Sequence, residues 1–186
     1  EKNQGVTGAK NYGAMEAQGE WIVFLDSDDL LVSENYELML NELESKSHAD
    51  ALFFSCLDFD GKRIGESFED EKLELDSYLN LGMYGEKLPV IKKSTVLAYP
   101  YNVELRGFEG LTYLEMILAG KNLYVSNLLC RKYRTDNEDR LSTVKGRLKR
   151  SNAMCKGYYK MAVLLLKNKK RVPSDIMLKI PVYLVL

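Results

Sequence analysis

The sequence is poor in the residues that staple or anchor a chain. Its three cysteines, Cys56, Cys130 and Cys155, are an odd set without metal-type spacing. That excludes a disulfide framework and a cysteine-built zinc site. It fits a reducing compartment, so a cytoplasmic location is expected. The one histidine, His48, lies in the polar connection Ser47-His48-Ala49-Asp50 with no local partner and reads as a surface residue. No uncharged apolar run is long enough to span a bilayer, and the opening residues do not read as a signal peptide. The formal charge of −1 gives no bulk attraction to nucleic acid, so none is expected as a partner. No internal repeat or low-complexity segment is visible. What remains is ordinary globular material: 186 residues, 46% hydrophobic, enough for one domain with an appendage.

The most informative stretch is Phe24-Leu25-Asp26-Ser27-Asp28-Asp29-Leu30. A short apolar run, Trp21 to Leu25, reads as a buried strand that delivers three carboxylates within four residues. Carboxylates this close repel one another, and burial raises that cost. Water or a bridging cation relieves it. Hard oxygen ligands suit Mg²⁺ or Mn²⁺, and Mg²⁺ commonly takes one or two carboxylates plus substrate phosphates. The physical reading is a metal–diphosphate site at the carboxyl end of a strand. The plainer reading is a helix-capping cluster, because Asp and Ser oxygens satisfy orphan amides and acids favour the positive helix end.

Upstream, Asn3-Gln4-Gly5-Val6-Thr7-Gly8-Ala9-Lys10-Asn11-Tyr12-Gly13 precedes Ala17-Gln18-Gly19-Glu20-Trp21. Ala9 to Gln18 reads as a short helix, closed by Gly19. Gly5, Gly8 and Gly13 allow positive φ or close backbone approach beneath a ligand. A lysine near a helix start opposes the macrodipole, so Lys10 is a candidate for a diphosphate, and a plain surface lysine is the simpler account.

From Asn3 to Asp29 the sequence resembles, without a gap, the middle of family 2 glycosyltransferases. Their pattern here is close to N-x-G-x-x-x-A-R-N-x-G, a short helix, then G-E/D-Y/W-I-x-F-L-D-x-D-D. Lys10 stands where the family usually has Arg; the charge is kept but the planar fork is lost. The resemblance implies an α/β fold of the GT-A kind: a Rossmann-like mixed sheet flanked by helices. It implies an inverting enzyme that takes a nucleotide diphosphate sugar, a UDP-sugar above all, with Mg²⁺ or Mn²⁺. On that basis Asp26 and Asp28 are the metal candidates, and Asn3, Gly5, Lys10, Asp26 and Arg134 are candidates for the donor. The first two strand–helix units of such a fold are expected ahead of Glu1, so the chain reads as incomplete at its N-terminus and truncated after Leu186. Without those units, an unpaired hydrophobic sheet edge is expected.

Further along, Tyr36 to Glu44 reads as a helix with an apolar face of Tyr36, Leu38, Met39, Leu40 and Leu43, started by Ser33. Ala51 to Phe59 reads as a strand, followed by a hairpin turn at Asp60-Gly61-Lys62. A helix is expected over Asp76–Leu81, a short strand over Leu88–Ile91, and a short helix broken by Pro100. Phe108 to Ala119 reads as a helix closed by Gly120. Family 2 enzymes carry an E-D pair at the start of a similar helix, and its aspartate is taken as the general base. This sequence has Glu109-Gly110 instead. Glu109 is therefore the candidate base, with Glu115 a weaker one and a simple first-turn acid the plainer account. Asn122 to Val125 and Leu128 to Tyr133 read as strand segments. The loop from Tyr133 to Ser142 resembles the family's Y-R-x-H/polar loop, with Arg134, Arg140 and Ser142 able to meet diphosphate oxygens and no histidine present; a charged surface loop is the plainer account, above all for Arg140.

Two parts are expected: residues 1–144 as a partial catalytic domain, and 145–186 as a basic, mainly helical extension. From Lys145 to Arg171 the sequence turns basic, with Met154, Tyr158, Met161, Ala162 and Leu165 at helical spacing. A solvated helix packed on the domain is the plainer account; peripheral contact with an anionic membrane is the other. The expected acceptor is a saccharide or a lipid-linked sugar, in bacterial surface polysaccharide or glycoconjugate synthesis. The rival is a non-catalytic sugar-nucleotide-binding domain, suggested by Gly110 and the missing histidine.

Overall fold

A computed structural model describes residues 5–80, 85–105, 107–135, 146 and 148–185. In chain order the elements are α1 (Gly5–Glu16), β1 (Trp21–Val23), β2 (Leu30–Leu31), α2 (Tyr36–Ser45), β3 (Ala51–Leu57), β4 (Arg63–Ile64), β5 (Glu71–Lys72), α3 (Leu75–Leu79), β6 (Lys87–Lys92), α4 (Lys93–Ala98), α5 (Gly110–Leu118), β7 (Leu123–Lys132), α6 (Ser151–Lys167) and α7 (Ser174–Val185). The sheet runs β1-β6-β3-β7-β2, with β4 beside β3 and β5 beside β7. Among the described residues only β3 and β7 pair in parallel; the remaining pairs are antiparallel, so the sheet is mixed.

The central strand explains the layering. Six of the seven residues of β3 are buried, and successive side chains point to opposite faces. Ala51 and Phe53 join one core with Ala14, Ile22, Phe24, Leu111, Leu114, Leu123 and Val125. Leu52 and Phe54 join the other with Met39, Leu43, Leu88, Val90 and Cys130. Helix α2 covers that second face through one narrow stripe, Met39 and Leu43. Tyr36, Leu38 and Leu40, expected on its apolar face, are exposed. Met161, Ala162, Leu165 and Ile176 of α6 and α7 lie in the first core, so these helices share the hydrophobic interior of residues upstream.

Ends and turns follow local chemistry. Gly61 takes φ 85° in the turn between β3 and β4, where Asp58 Oδ1 accepts the N–H groups of Asp60 and Lys62 at 3.0 and 2.8 Å. Gly120, at φ 75°, closes α5: its N–H reaches Ile117 O and that of Lys121 reaches Met116 O, both at 3.0 Å. The two segments expected over 122–133 form one strand, β7, whose register against β3 shifts at Ser55. That bulge seats Ser55 Oγ on Ser126 O at 2.9 Å. Helix α1 starts at Gly5, with φ 72°, four residues before the expected Ala9. Lys10 is thus in the helix interior, and the argument from an unfavourable helix start does not hold.

Candidate active site

The acidic loop follows directly from β1. Its strand is shorter than Trp21–Leu25: the ladder ends at Val23, although Phe24 N–H still reaches Pro89 O at 3.1 Å. Beyond it the three aspartates separate. Asp29 is buried, while Asp26 is half-buried and Asp28 exposed.

Asp29 is held from behind. Its Oδ1 accepts the Arg134 N–H at 2.9 Å, and its Oδ2 stands 3.4 Å from Arg131 Nη1. Arg131 is itself buried, donates from Nε to Cys56 Sγ at 3.2 Å and stacks 4.7 Å from the Tyr133 ring. Burial pushes the Asp29 carboxyl above its usual range; the Arg134 N–H and Arg131 oppose that shift. Burial likewise raises the Cys56 thiol, against the pull of Arg131. The sequence carried no sign of this pairing, because the partner lies in a β7 run indistinguishable from strand material.

Asp26 faces the other way. Lys10 Nζ lies 3.6 Å from Asp26 Oδ1 and 3.1 Å from Glu109 Oε1, so one ammonium joins the acidic loop to the start of α5. The Lys10 and Glu109 side chains are only 19% and 20% exposed, which strengthens this pair relative to a surface one. The next residue, Asn11, fixes α1 against the chain before α5: its Nδ2 donates to Tyr101 O and its Oδ1 accepts Tyr101 N–H, each at 2.8 Å. Tyr101 Oη and Tyr113 Oη are 3.1 Å apart. Burial raises both phenols, with the Glu109 charge adding to the shift, so both stay protonated.

Glu109 occupies the N-cap position of α5 but makes no side-chain cap bond; its carboxylate goes to Lys10 instead. At Gly110, where an aspartate was expected, a Cβ would stand 2.9 Å from Tyr78 Oη. That hydroxyl donates to Gly110 O at 2.5 Å, and Tyr78 is buried. The missing side chain and the buried tyrosine are therefore one feature. Glu115 lies further along α5, in a cleft of about 290 Å³ with Tyr159 and Lys160, apart from the Lys10 cluster.

Of the other expected residues, Gly5 starts α1. The Arg134 guanidinium donates to Asp28 O at 3.3 Å and stacks 4.7 Å from the Phe59 ring. Asn3, Arg140 and Ser142 lie outside the described residues. His48 is exposed, its Nε2 2.9 Å from Tyr124 Oη, away from this cluster. A cavity of about 670 Å³ opens between α1 and β1, with Lys10, Phe24 and Asp26 in its lining. Among the described residues no three His, Cys, Asp or Glu side chains converge as a self-contained cation site. Asp26 and Asp28 still fit a cation completed by phosphate oxygens, since Mg²⁺ needs few protein carboxylates. Asp29, turned inward on Arg131, does not contribute to that set.

Residues 1–90 match the model of glycosyl transferase family 2. The chain carries a family 2 glycosyltransferase domain. One similar protein is the GalNAc(5)-diNAcBac-PP-undecaprenol beta-1,3-glucosyltransferase of Campylobacter jejuni, 30% identical over 179 residues, covering 92% of this chain and 55% of that protein. Another is an uncharacterized glycosyltransferase of Haemophilus influenzae, 30% identical over 115 residues, covering 60% of this chain and 42% of that one. The chain spans about half the length of these curated relatives. Among solved structures it resembles S. aureus TarS 1-349, with a TM-score of 0.60 and 16% identity over 87% of this chain and 47% of that one. The α/β architecture, a mixed sheet flanked by helices, is that of a GT-A glycosyltransferase.

Proposed function

We propose that the whole protein transfers a sugar, with inversion, from a nucleotide diphosphate sugar (a UDP-sugar) to a hydroxyl of a saccharide or lipid-linked acceptor. The setting is bacterial surface polysaccharide or glycoconjugate synthesis at the inner face of the plasma membrane. The likeness to an enzyme named for a polyprenol-linked oligosaccharide supports that class of acceptor. The observation that carries the reading is the convergence of Asp26 and Glu109 on Lys10.

In this reading Asp26 and Asp28 would hold Mg²⁺ or Mn²⁺, which would supply positive charge to the diphosphate leaving group. Lys10 beside Asp26 and Arg134 beside Asp28 O add positive charge, and Gly5 at the start of α1 serves the nucleotide, as the family pattern also assigns to Asn3. Glu109 takes the proton of the acceptor hydroxyl as its oxygen attacks the anomeric carbon. The bond to the diphosphate oxygen breaks in the same displacement, so no covalent sugar–enzyme intermediate forms. Buried Arg131 keeps Asp29 turned inward, which leaves the two outward carboxylates for the donor.

Calorimetry of UDP with Mn²⁺ on the complete protein tests the donor half: Asp28→Ala is expected to abolish metal-dependent binding, and unchanged binding overturns the assignment. Glu109→Gln is expected to lower kcat by about 10²–10⁴-fold while donor binding persists. One observation favours a second reading, a donor-binding domain without catalysis: Tyr78 Oη, 2.9 Å from where a Cβ would stand, crowds the place of the usual aspartate. Absence of transfer in the complete wild-type protein, with intact UDP–Mn²⁺ binding, would select it.

A further inference from the structure

We propose that the outer surface of α6 and α7 is a docking face for an anionic lipid bilayer. Residues 148–185 contain nine Lys and Arg against one acid, Asp175, a balance of +8 in a chain whose total is −1. The remainder therefore carries −9, and the molecule has a basic end. Helix α6 contains no Asp or Glu at all. Lys160 is 3.9 Å from Glu104 and Lys179 pairs with Asp175 at 3.0 Å. Lys156, Lys167, Lys169, Lys170 and Arg171 make no ion pair with any described residue.

The apolar residues on this surface distinguish it from a merely solvated helix. Met154, Met161 and Leu165 of α6 are buried against the domain. On the opposite side Lys156 and Leu166 are exposed, Leu166 at 63%, while Tyr159, 59% exposed, borders with Lys160, Val163 and Lys167 the cleft that α6 forms with Glu115 of α5. Past the basic turn, α7 exposes Met177, Leu178 and Val182. Apolar side chains interleaved with cations are what a helix pair needs to lie in the headgroup region. Among the described residues no helix is long and apolar enough to cross a membrane, so the contact is peripheral.

The placement has a consequence for the site, which rests on the glycosyl-transfer reading. Gly157 of α6 seats the Phe108 ring, and Phe108 adjoins Glu109. Helix α6, which carries the basic surface, is thus seated on the residue that precedes Glu109. In that reading a lipid-linked acceptor held at this surface approaches Glu109 from the α6 side.

Sedimentation of the full-length protein with vesicles tests the surface, with no donor or acceptor present. Binding is expected to phosphatidylglycerol-containing vesicles but not to phosphatidylcholine alone, and high salt should release it. Lys169→Glu/Lys170→Glu/Arg171→Glu should lower the partition coefficient by about 100-fold or more, each cation contributing roughly fivefold and reversal adding to that. Met177→Ser/Leu178→Ser should weaken binding severalfold and leave the urea midpoint of the free protein unchanged. Equal partitioning to both vesicles, no partitioning, or an unaffected triple variant overturns the proposal. So does a lowered urea midpoint or a dissociated oligomer in the double variant, because another segment or a second copy then covers the face. Failure here with intact transfer to a soluble acceptor leaves the glycosyl-transfer reading standing; failed transfer with normal vesicle binding does the reverse.

Discussion

Gly157→Ala is the sharpest probe of how α6 is seated beside Glu109. A Cβ at position 157 would stand 2.7 to 2.8 Å from three ring atoms of Phe108. The ring has little room to retreat, because it packs edge-on against Tyr158 at 5.0 Å. Overpacking of this kind costs about 1–3 kcal/mol. Replacing Gly by Ala inside a helix returns about 1 kcal/mol of propensity. The single variant should therefore lose only about 0–2 kcal/mol, which alone is ambiguous. Phe108→Leu removes the ring edge and should itself cost about 1 kcal/mol. In the Phe108→Leu background the clash is gone but the propensity gain remains, so Gly157→Ala should become neutral or stabilising. Urea denaturation of the four proteins gives the cycle: the propensity gain cancels, and an interaction energy equal to the overpacking cost, about 1–3 kcal/mol, is expected. An interaction within about 0.5 kcal/mol of zero would falsify the contact. If the contact orients Glu109, kcat of the single variant should fall and recover in the double one.

Two further outcomes follow from polar geometry elsewhere. Burial raises the Asp50 carboxyl, but the N–H of Asn122 at 2.8 Å, Lys121 at 3.2 Å and the Thr95 hydroxyl at 3.1 Å outweigh it, so the net shift is downward. A lowered folded pKa gives stability that is full above the unfolded value and lost as pH falls through the folded one. Asp50→Ala should cost about 2–3 kcal/mol at neutral pH, and the gap in urea midpoint from wild type should shrink as pH drops below the ordinary aspartate range. Lys169 closes α6 at φ 56°, where its N–H and that of Lys170 reach Leu166 O and Leu165 O, each at 2.9 Å. Lys169→Gly should raise the thermal midpoint by relieving about 1 kcal/mol of left-handed strain; a lowered midpoint would refute the cap.

Periodicity made the architecture legible wherever a whole face is buried. The runs over β3 and β6 and the helix ending at Gly120 stand where the pattern put them, because alternation and a left-handed glycine are local signals. Patterns failed where partners decide. Helix α2 offers five apolar positions and buries two, since its contact with the sheet is a single i, i+4 stripe. The start of α1 was missed because Gly5 and Gly8 are poor helix formers, yet Thr7, Gly8 and Ala14 pack inward. The bulge that fuses two expected segments into β7 depends on register against β3, which no local window contains.

The site shows the same division at the scale of single carboxylates. Three aspartates in four residues read alike, and only the fold separates them. Asp29 turns inward because Arg131, buried at the far end of β7, and the Arg134 amide meet it there. Asp26 turns toward Lys10 because α1 begins early enough to carry that ammonium past the helix start and across to Glu109. An arginine fork could give each carboxylate its own N–H pair; the lysine divides one charge between them, at 3.1 and 3.6 Å. The departure at Gly110 has an equally specific companion. With Tyr78 Oη only 2.9 Å from where a Cβ would stand, restoring an aspartate there would push the buried phenol against its bond to Gly110 O. The carboxylate on this part of the site is therefore Glu109, one residue upstream, and its position depends on Lys10 rather than on a helix cap.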